Sequence, residues 1–282
     1  MFSLSVKNNR GDVLNLTNNK NYDVCKVEGL APPPAAINTT ANTTTDGDTV
    51  NSVRLEKRNI VIYIVINGDI EANRINLYKY FPMKKNVTIY YKNDTRNVYI
   101  DGNVEVIECD FFANRQIAQI SIICPKPYFK DIEEFTTTFS DVTPLLEFPF
   151  SFPAEGAEIS AVTTNIRKSI INVGDAESGV VIKLFANGTV VNPVIYDVLK
   201  KSSIRLKTTM QPLDTIIINT NIGEKGITLI RNGIKTNILG LMQKDSKWFT
   251  LDAGDNVFTY ECESGASNLQ ITFTTSILYG GV

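Results

Sequence analysis

Arg54–Phe81 reads RLEKRNIVIYIVINGDIEANRINLYKYF, and this stretch decides the fold. Ile60–Ile66 is an unbroken run of β-branched and aromatic residues, the composition of a strand buried on both faces. Asn67-Gly68 ends it, because both residues tolerate the positive φ of a sharp turn. Asp69 is placed to cap a helix, with Glu71 in the electropositive first turn. Ile75, Tyr78 and Phe81 follow at helical spacing as the expected apolar face, and Pro82 stops the segment. Val87–Tyr91 then resumes strand character. The pattern predicts strand, tight turn, one short amphipathic helix and strand. A lone helix in a chain otherwise patterned as β is a fold marker rather than a reaction centre.

Upstream, Phe2–Val6 and Val13–Leu16 flank a polar turn and read as a hairpin, so Arg10-Gly11-Asp12 is turn chemistry rather than an adhesion signal. Ile37–Thr45 and Thr49–Glu56 read as the arms of a long hairpin turning at Asp46-Gly47-Asp48. Polar on both faces, this arm gains little from the chain's own core and should contact something else. Its tip, Asn42, Thr44, Asp46, Gly47 and Asp48, is the candidate assembly interface. Downstream, Asp101-Gly102 between Val98–Ile100 and Val104–Ile107 predicts another hairpin, and Gln119–Cys124 another strand.

Asp131–Asp141, DIEEFTTTFSD, is short of aliphatics and leads into a Phe/Pro-rich stretch ending at Pro153. The domain boundary is expected there, giving domains 1–135 and 136–282. The second half is a series of short alternating strands: Val180–Phe185 joined near Asn187-Gly188 to Val190–Ile195, then Ser203–Met210, Thr215–Asn219, Ile227–Ile230, Val257–Cys262 and Leu269–Phe273. Short strands separated by glycine-containing turns predict an antiparallel sandwich. The fold class is therefore mainly β, with a β-rich N-terminal domain carrying one short helix.

Composition bounds the chemistry. The 282 residues suit two domains, 43% hydrophobic content supports real cores, and a net charge of −2 favours neither nucleic acid nor an anionic membrane. The first residues lack a basic segment followed by an apolar one, so synthesis in a cytoplasm is expected. Cys25, Cys109, Cys124 and Cys262 are dispersed and read as buried, reduced thiols. Histidine is absent, which removes the commonest general base and every His-dependent triad. No metal, cofactor or catalytic residue is expected. Asp46/Asp48 and Asp252/Asp255 lack an EF-hand spacing, and Glu133-Glu134 and Glu261/Glu263 are weak material for a glycosidase pair. The basic group Lys200, Lys201, Arg205 and Lys207 has no interleaved aromatics for base stacking. Trp248, the single tryptophan, reads as core before sugar platform.

Several motifs occur in a telling order: Glu28-Gly29-Leu30-Ala31-Pro32-Pro33, Asp46-Gly47, Arg54 and Arg58, Asn67–Arg74, and Cys124–Phe129. Asn172-Val173-Gly174-Asp175, Phe249-Thr250-Leu251, Gly254-Asp255-Asn256 and Tyr279-Gly280-Gly281-Val282 continue it. In this order the chain resembles the distal tail protein family of long-tailed bacteriophages. The resemblance implies an N-terminal belt domain closing into a hexameric ring and a galectin-like C-terminal β-sandwich. It also implies a location at the distal end of the tail in the virion. The implied partners are other copies of the chain, the tail tube protein, the baseplate hub protein and, in some phages, receptor-binding proteins. Galectin sugar sites rely on a histidine this chain lacks. The expected function is that of a structural, non-enzymatic virion protein; the alternative is a carbohydrate-binding module aiding host attachment.

Overall fold

The computed structural model describes residues 2–113, 115–140, 142–144, 160–162 and 167–282. They form two compact units, Met1–Ile132 with Leu278–Val282, and Glu133–Ile277. A division in simple chain order has no place for the return of the last five residues to the first unit.

The first unit opens with β1 (Ser3–Lys7), β2 (Val13–Asn15), β3 (Tyr22–Glu28), β4 (Ala35–Ala41), β5 (Asp48–Leu55) and β6 (Arg58–Ile66). Helix α1 (Ile70–Tyr80) follows, then β7 (Asn86–Lys92), β8 (Asn97–Cys109), β9 (Ile117–Cys124) and the start of β10 (Phe129–Ser140). Apart from β4 and β5, these strands pair antiparallel in the order β2-β1-β7-β8-β9-β6-β3, and the start of β10 pairs with β8 at Lys130–Tyr99 and Asp131–Val98. Leu4, Val6, Ile60, Ile62, Ile64, Ile89, Ile100, Ile120 and Ile122 fill one buried core.

Helix α1 begins as its sequence predicts, with the Asp69 carboxylate accepting from the Ala72 N–H at 3.1 Å. Its inward face keeps Phe81 of the expected set and has Leu77 in place of Ile75 and Tyr78. Leu77 and Phe81 are fully buried, whereas Ile75 and Tyr78 are 48% and 39% exposed. Polar anchors fix this rotation: the Tyr22 hydroxyl donates to the Asn73 carbonyl at 2.8 Å and Asn76 Nδ2 donates to the Tyr22 oxygen at 3.2 Å. Strand β6 is also less enclosed than its composition suggests. Ile60, Ile62 and Ile64 are buried, but Asn59 is exposed and Val61 and Tyr63 are half-buried.

Asp101-Gly102 is not a turn. Strand β8 runs through it, pairing with β7 along its first half and with β9 along its second. Gly102 is there because β9 passes too close for a side chain: a Cβ would lie 2.6 Å from Ile122 Cγ2 and 2.8 Å from Cys124 Sγ. Likewise Asp131–Ser140 is strand rather than linker. Phe148–Pro153 lies outside the described residues.

In the second unit, β11 (Val142–Pro144) pairs with β12 (Ser160–Val162). The remaining strands are β13 (Lys168–Asn172), β14 (Val180–Ala186), β15 (Val190–Val191), β16 (Val194–Asp197), β17 (Ser202–Arg205) and β18 (Thr209–Met210). They continue with β19 (Thr215–Asn219), β20 (Gly226–Arg231), β21 (Ile234–Asn237), β22 (Gly254–Glu261) and β23 (Leu269–Tyr279). One antiparallel sheet runs β23-β14-β19-β20-β21 and another β13-β22-β16-β17. Alternating residues Ile182, Leu184, Ile216, Ile218 and Phe273 of the first meet Ile170, Ile195, Ile204 and Phe258 of the second in a single core, with Phe258 and Phe273 rings 4.9 Å apart. This is the expected antiparallel sandwich. Two predicted strands are each split, because Val190–Ile195 and Ser203–Met210 divide between the four-stranded sheet and a short β15-β18 ribbon. Val180–Phe185 consequently pairs with β19 and β23 rather than with the strand after Asn187-Gly188.

Candidate assembly interface

Strands β4 and β5 pair with each other and, among the described residues, with no other strand. The turn is longer than Asp46-Gly47-Asp48. Asn42, Thr44, Asp46 and Gly47 lie in a six-residue loop, and Asp48 is already the first residue of β5, opposite Ala41. All five candidate residues are exposed. Gly47 takes φ +88 with nothing within 4 Å of a would-be Cβ, so its glycine serves the turn alone. Asn42 Oδ1 accepts from Thr49 Oγ1 at 3.0 Å, and Asp48 Oδ2 accepts from Thr39 Oγ1 at 2.9 Å.

The register overturns the expectation that both faces of the arm are polar. Ile37 stands opposite Val53, and Ala35 opposite Leu55. A register shift after Asn38 then brings Val50, not Asn51, opposite Thr39. Side chains alternate along a strand, so Ala35, Ile37, Thr39, Ala41, Asp48, Val50, Val53 and Leu55 share one face, apolar except for the Thr39–Asp48 pair near the tip. Asn38, Thr40, Asn42, Thr49, Asn51 and Ser52 take the other and bond among themselves, for example Asn38 Nδ2 to Ser52 Oγ at 2.8 Å. Ile37, Val50 and Val53 are 58%, 56% and 62% exposed. The single-residue shift hides this pattern from sequence alternation. A two-stranded hairpin is at best marginally stable in water, so an apolar face left open at this length is unusual.

A second exposed feature escaped the sequence reading. Between β8 and β9, Phe112 is fully exposed and Phe111 is 53% exposed. The Arg74 guanidinium lies over the Phe111 ring at 4.5 Å, and Ile75 and Tyr78 of α1 are exposed as well. Two adjacent phenylalanines after a strand ordinarily signal core, which is why this loop carries no surface signal in the sequence.

Three of the motif segments, Glu28–Pro33, Cys124–Phe129 and Tyr279–Val282, converge inside the first unit on Arg58, which is 1% exposed. Its guanidinium donates to the carbonyls of Gly29, Ala31, Pro127 and Gly280, and stacks 4.6 Å over Phe129. Burial lowers its pKa, partly offset by the neighbouring Cys124, whose own thiol burial pushes up to about 12. Arg96 donates to Gly281 and lies over Tyr279. Gly29, at φ +82, could hold no side chain, since a Cβ would sit 2.0 Å from the Asn59 carbonyl. These three segments and Arg58 are thus one structural joint.

The other candidates disperse. Cys124 is buried, but Cys25 is exposed and Cys109 and Cys262 are half-buried, none of them in a disulfide, so the expectation of four buried thiols fails. Lys200 bonds Asp252 at 2.7 Å and Ser169 bonds Asp255 at 3.1 Å. Among the described residues no group of three Cys, Asp or Glu is placed to hold a metal. Glu261 accepts from the Tyr196 hydroxyl at 3.0 Å, and burial with that carboxylate raises the phenol's pKa. Trp248 is partly buried against the sandwich core, with Lys225 5.9 Å from its ring centre. Arg205, of the basic group, is 3.5 Å from Asp245.

Residues 173–276 match the family model of the siphovirus-type tail component, C-terminal domain. The fold as a whole is similar to the SPP1 Dit (gp 19.1) protein, described as a paradigm of the hub adsorption apparatus in phages infecting Gram-positive bacteria. Identity is 12%, coverage 98% of each chain and the TM-score 0.69. A chain of the phage p2 baseplate in its activated conformation with Ca is similar at 14% identity, with 98% of each chain covered and a TM-score of 0.51. The same baseplate with Sr gives the same values. No curated protein matches significantly in sequence. Residues 173–276 thus carry the C-terminal domain of a siphovirus-type tail component, and the chain shares the fold of these tail and baseplate proteins.

Proposed function

We propose that the chain assembles head-to-tail into a hexameric ring at the distal end of the tail, joining the tail tube to the baseplate hub and the host-adhesion apparatus. The observation that carries this reading is the β4-β5 arm, a hairpin whose mostly apolar face has no cover among the described residues. Repeating one heterologous contact about a rotation axis closes a ring, and the opening passes tail contents and DNA. The role is non-enzymatic: the work is geometric, matching a ring to dissimilar partners on its faces. Synthesis takes place in the host cytoplasm and the working location is the virion.

Deleting Thr39–Thr45 with a Gly-Ser bridge tests the role of the arm tip. It removes exposed residues, the last three of β4 together with part of the loop, and the change in closure entropy is about 1 kcal/mol or less. The shortened protein should keep its thermal midpoint yet fail to form rings or complete tails. Normal assembly would make the arm tip dispensable, and unfolding would place the segment in the core.

A further inference from the structure

We propose that the second unit binds a neutral saccharide in an open groove on its four-stranded sheet, around Tyr196, Asp197 and Glu261. The inference goes beyond the ring reading and does not rest on it. Ile195, Ile204 and Phe258 of β16, β17 and β22 point into the core, so their strand neighbours face outward. Across the strands Tyr196 stands between Ser203 and Thr259, and Val194 between Arg205 and Glu261. Tyr196, Ser203, Arg205, Thr259 and Glu261, with Lys201 from the β16-β17 turn, line a groove of about 500 Å³. That lies within the ~300–1,000 Å³ of small-molecule sites. The sequence divides these residues between a basic group and an acidic pair, and the sheet brings them together.

The groove is organised in advance. The Tyr196 hydroxyl donates to Glu261 at 3.0 Å, Arg205 Nε donates to Ser203 Oγ at 3.1 Å, and the guanidinium lies 5.7 Å from the Tyr196 ring centre. Asp197, which also lines the groove, is 2% exposed. Its Oδ1 accepts from the Lys200 N–H at 3.0 Å, whereas Oδ2 has no hydrogen-bond partner among the described residues. A buried acceptor without a donor is costly, and a ligand hydroxyl supplies one.

The chemistry of these groups selects the class of ligand. Asp197 and Glu261 only accept, Lys201 and Arg205 only donate, and the serine and threonine hydroxyls do both. A phosphate only accepts and would meet two carboxylates; an ammonium only donates and would meet two cations. Arg205 is also 3.5 Å from Asp245, so no surplus of positive charge calls for an anion. Each sugar hydroxyl donates to one neighbour and accepts from another, so a pyranose bridges both sets, its C–H face against the half-buried Tyr196 ring. None of these groups is a histidine, so the lack of histidine in the chain has no bearing on this site.

Saturation-transfer NMR and calorimetric titration of the full-length chain test the proposal. The probes are the methyl glycosides of glucose, galactose, N-acetylglucosamine and rhamnose, with poly(glycerol phosphate) as the anionic arm. At least one neutral glycoside should bind at millimolar concentration. Glu261→Gln and Asp197→Asn should each weaken that binding at least tenfold with thermal midpoints unchanged. Glu261 is exposed, so its variant decides the matter even if Asp197→Asn disturbs the turn. Equal binding by the parent and the Glu261→Gln chain would place the sugar elsewhere and overturn the proposal, as would no binding of any neutral glycoside. Binding of poly(glycerol phosphate) alone would also overturn it and assign the groove to a polyol phosphate. None of these outcomes bears on the ring reading, which solution mass decides.

Discussion

Arg58 donates a hydrogen bond to the carbonyl of Gly280, 222 residues further along the chain, and in doing so ties the C-terminal segment into the N-terminal unit. The same guanidinium satisfies three other carbonyls, so one side chain closes a joint built from the start, middle and end of the sequence. A buried charge is costly unless its donors are used, and here four backbone dipoles face it. Arg58→Met keeps much of the volume but leaves those carbonyls without a donor. Each unsatisfied buried acceptor costs about 1–3 kcal/mol, so a total loss of about 3 kcal/mol or more is expected. Equilibrium denaturation measures it, and a loss below about 1 kcal/mol would show that the joint is incidental.

Gly102 gives a cleaner contrast between close approach and turn chemistry. Gly102→Ala pushes a methyl into Ile122 and Cys124 and should destabilise by about 1–3 kcal/mol, the usual range for overpacking. Gly240→Ala meets open space and should stay within about 0.5 kcal/mol. Thermal midpoints of the two variants decide the matter; equal effects would refute the steric explanation.

Much of the architecture was legible because local signals and tertiary packing agreed. The Asp69 cap and the alternation of Leu269–Phe273 each carry their own physics. Misreadings occurred where one residue type serves two purposes. Glycine at 102 resembles a turn but marks strand contact, and Ile75 and Tyr78 have helical spacing yet yield the inward face to Leu77. The candidate interface was readable as an exposed hairpin. Its apolar face was not, since the register shift at Asn38/Thr39 breaks simple alternation.

Asp214 gives the second unit a defined acid sensitivity. Arg231 grips both its oxygens, with Nε at 3.0 and 3.1 Å and Nη2 at 2.6 Å, and holds the carboxyl below its ordinary pKa; burial opposes this, and the Gln211 N–H adds to it. The unfolded chain therefore binds the proton first as pH falls. The stabilisation is complete above the ordinary carboxylate pKa and is lost as pH drops through the lower folded value. Asp214→Asn should flatten that part of the stability profile below about pH 4. An unchanged acid limb in the variant would remove Asp214 from the explanation.

Thiol labelling separates the four cysteines. Cys25 is exposed and should react first, Cys109 and Cys262 more slowly, and Cys124 only on unfolding, since burial both shields it and raises its pKa to about 12. Rapid modification of Cys124 in the native protein would contradict the packing around Arg58.

The central claim is self-association into a closed ring, and the mass of the purified full-length chain in solution, followed over concentration, tests it most directly. The account predicts a species of six times the 31.3 kDa chain mass. A strict monomer, or a two-fold dimer that grows no further, would contradict it.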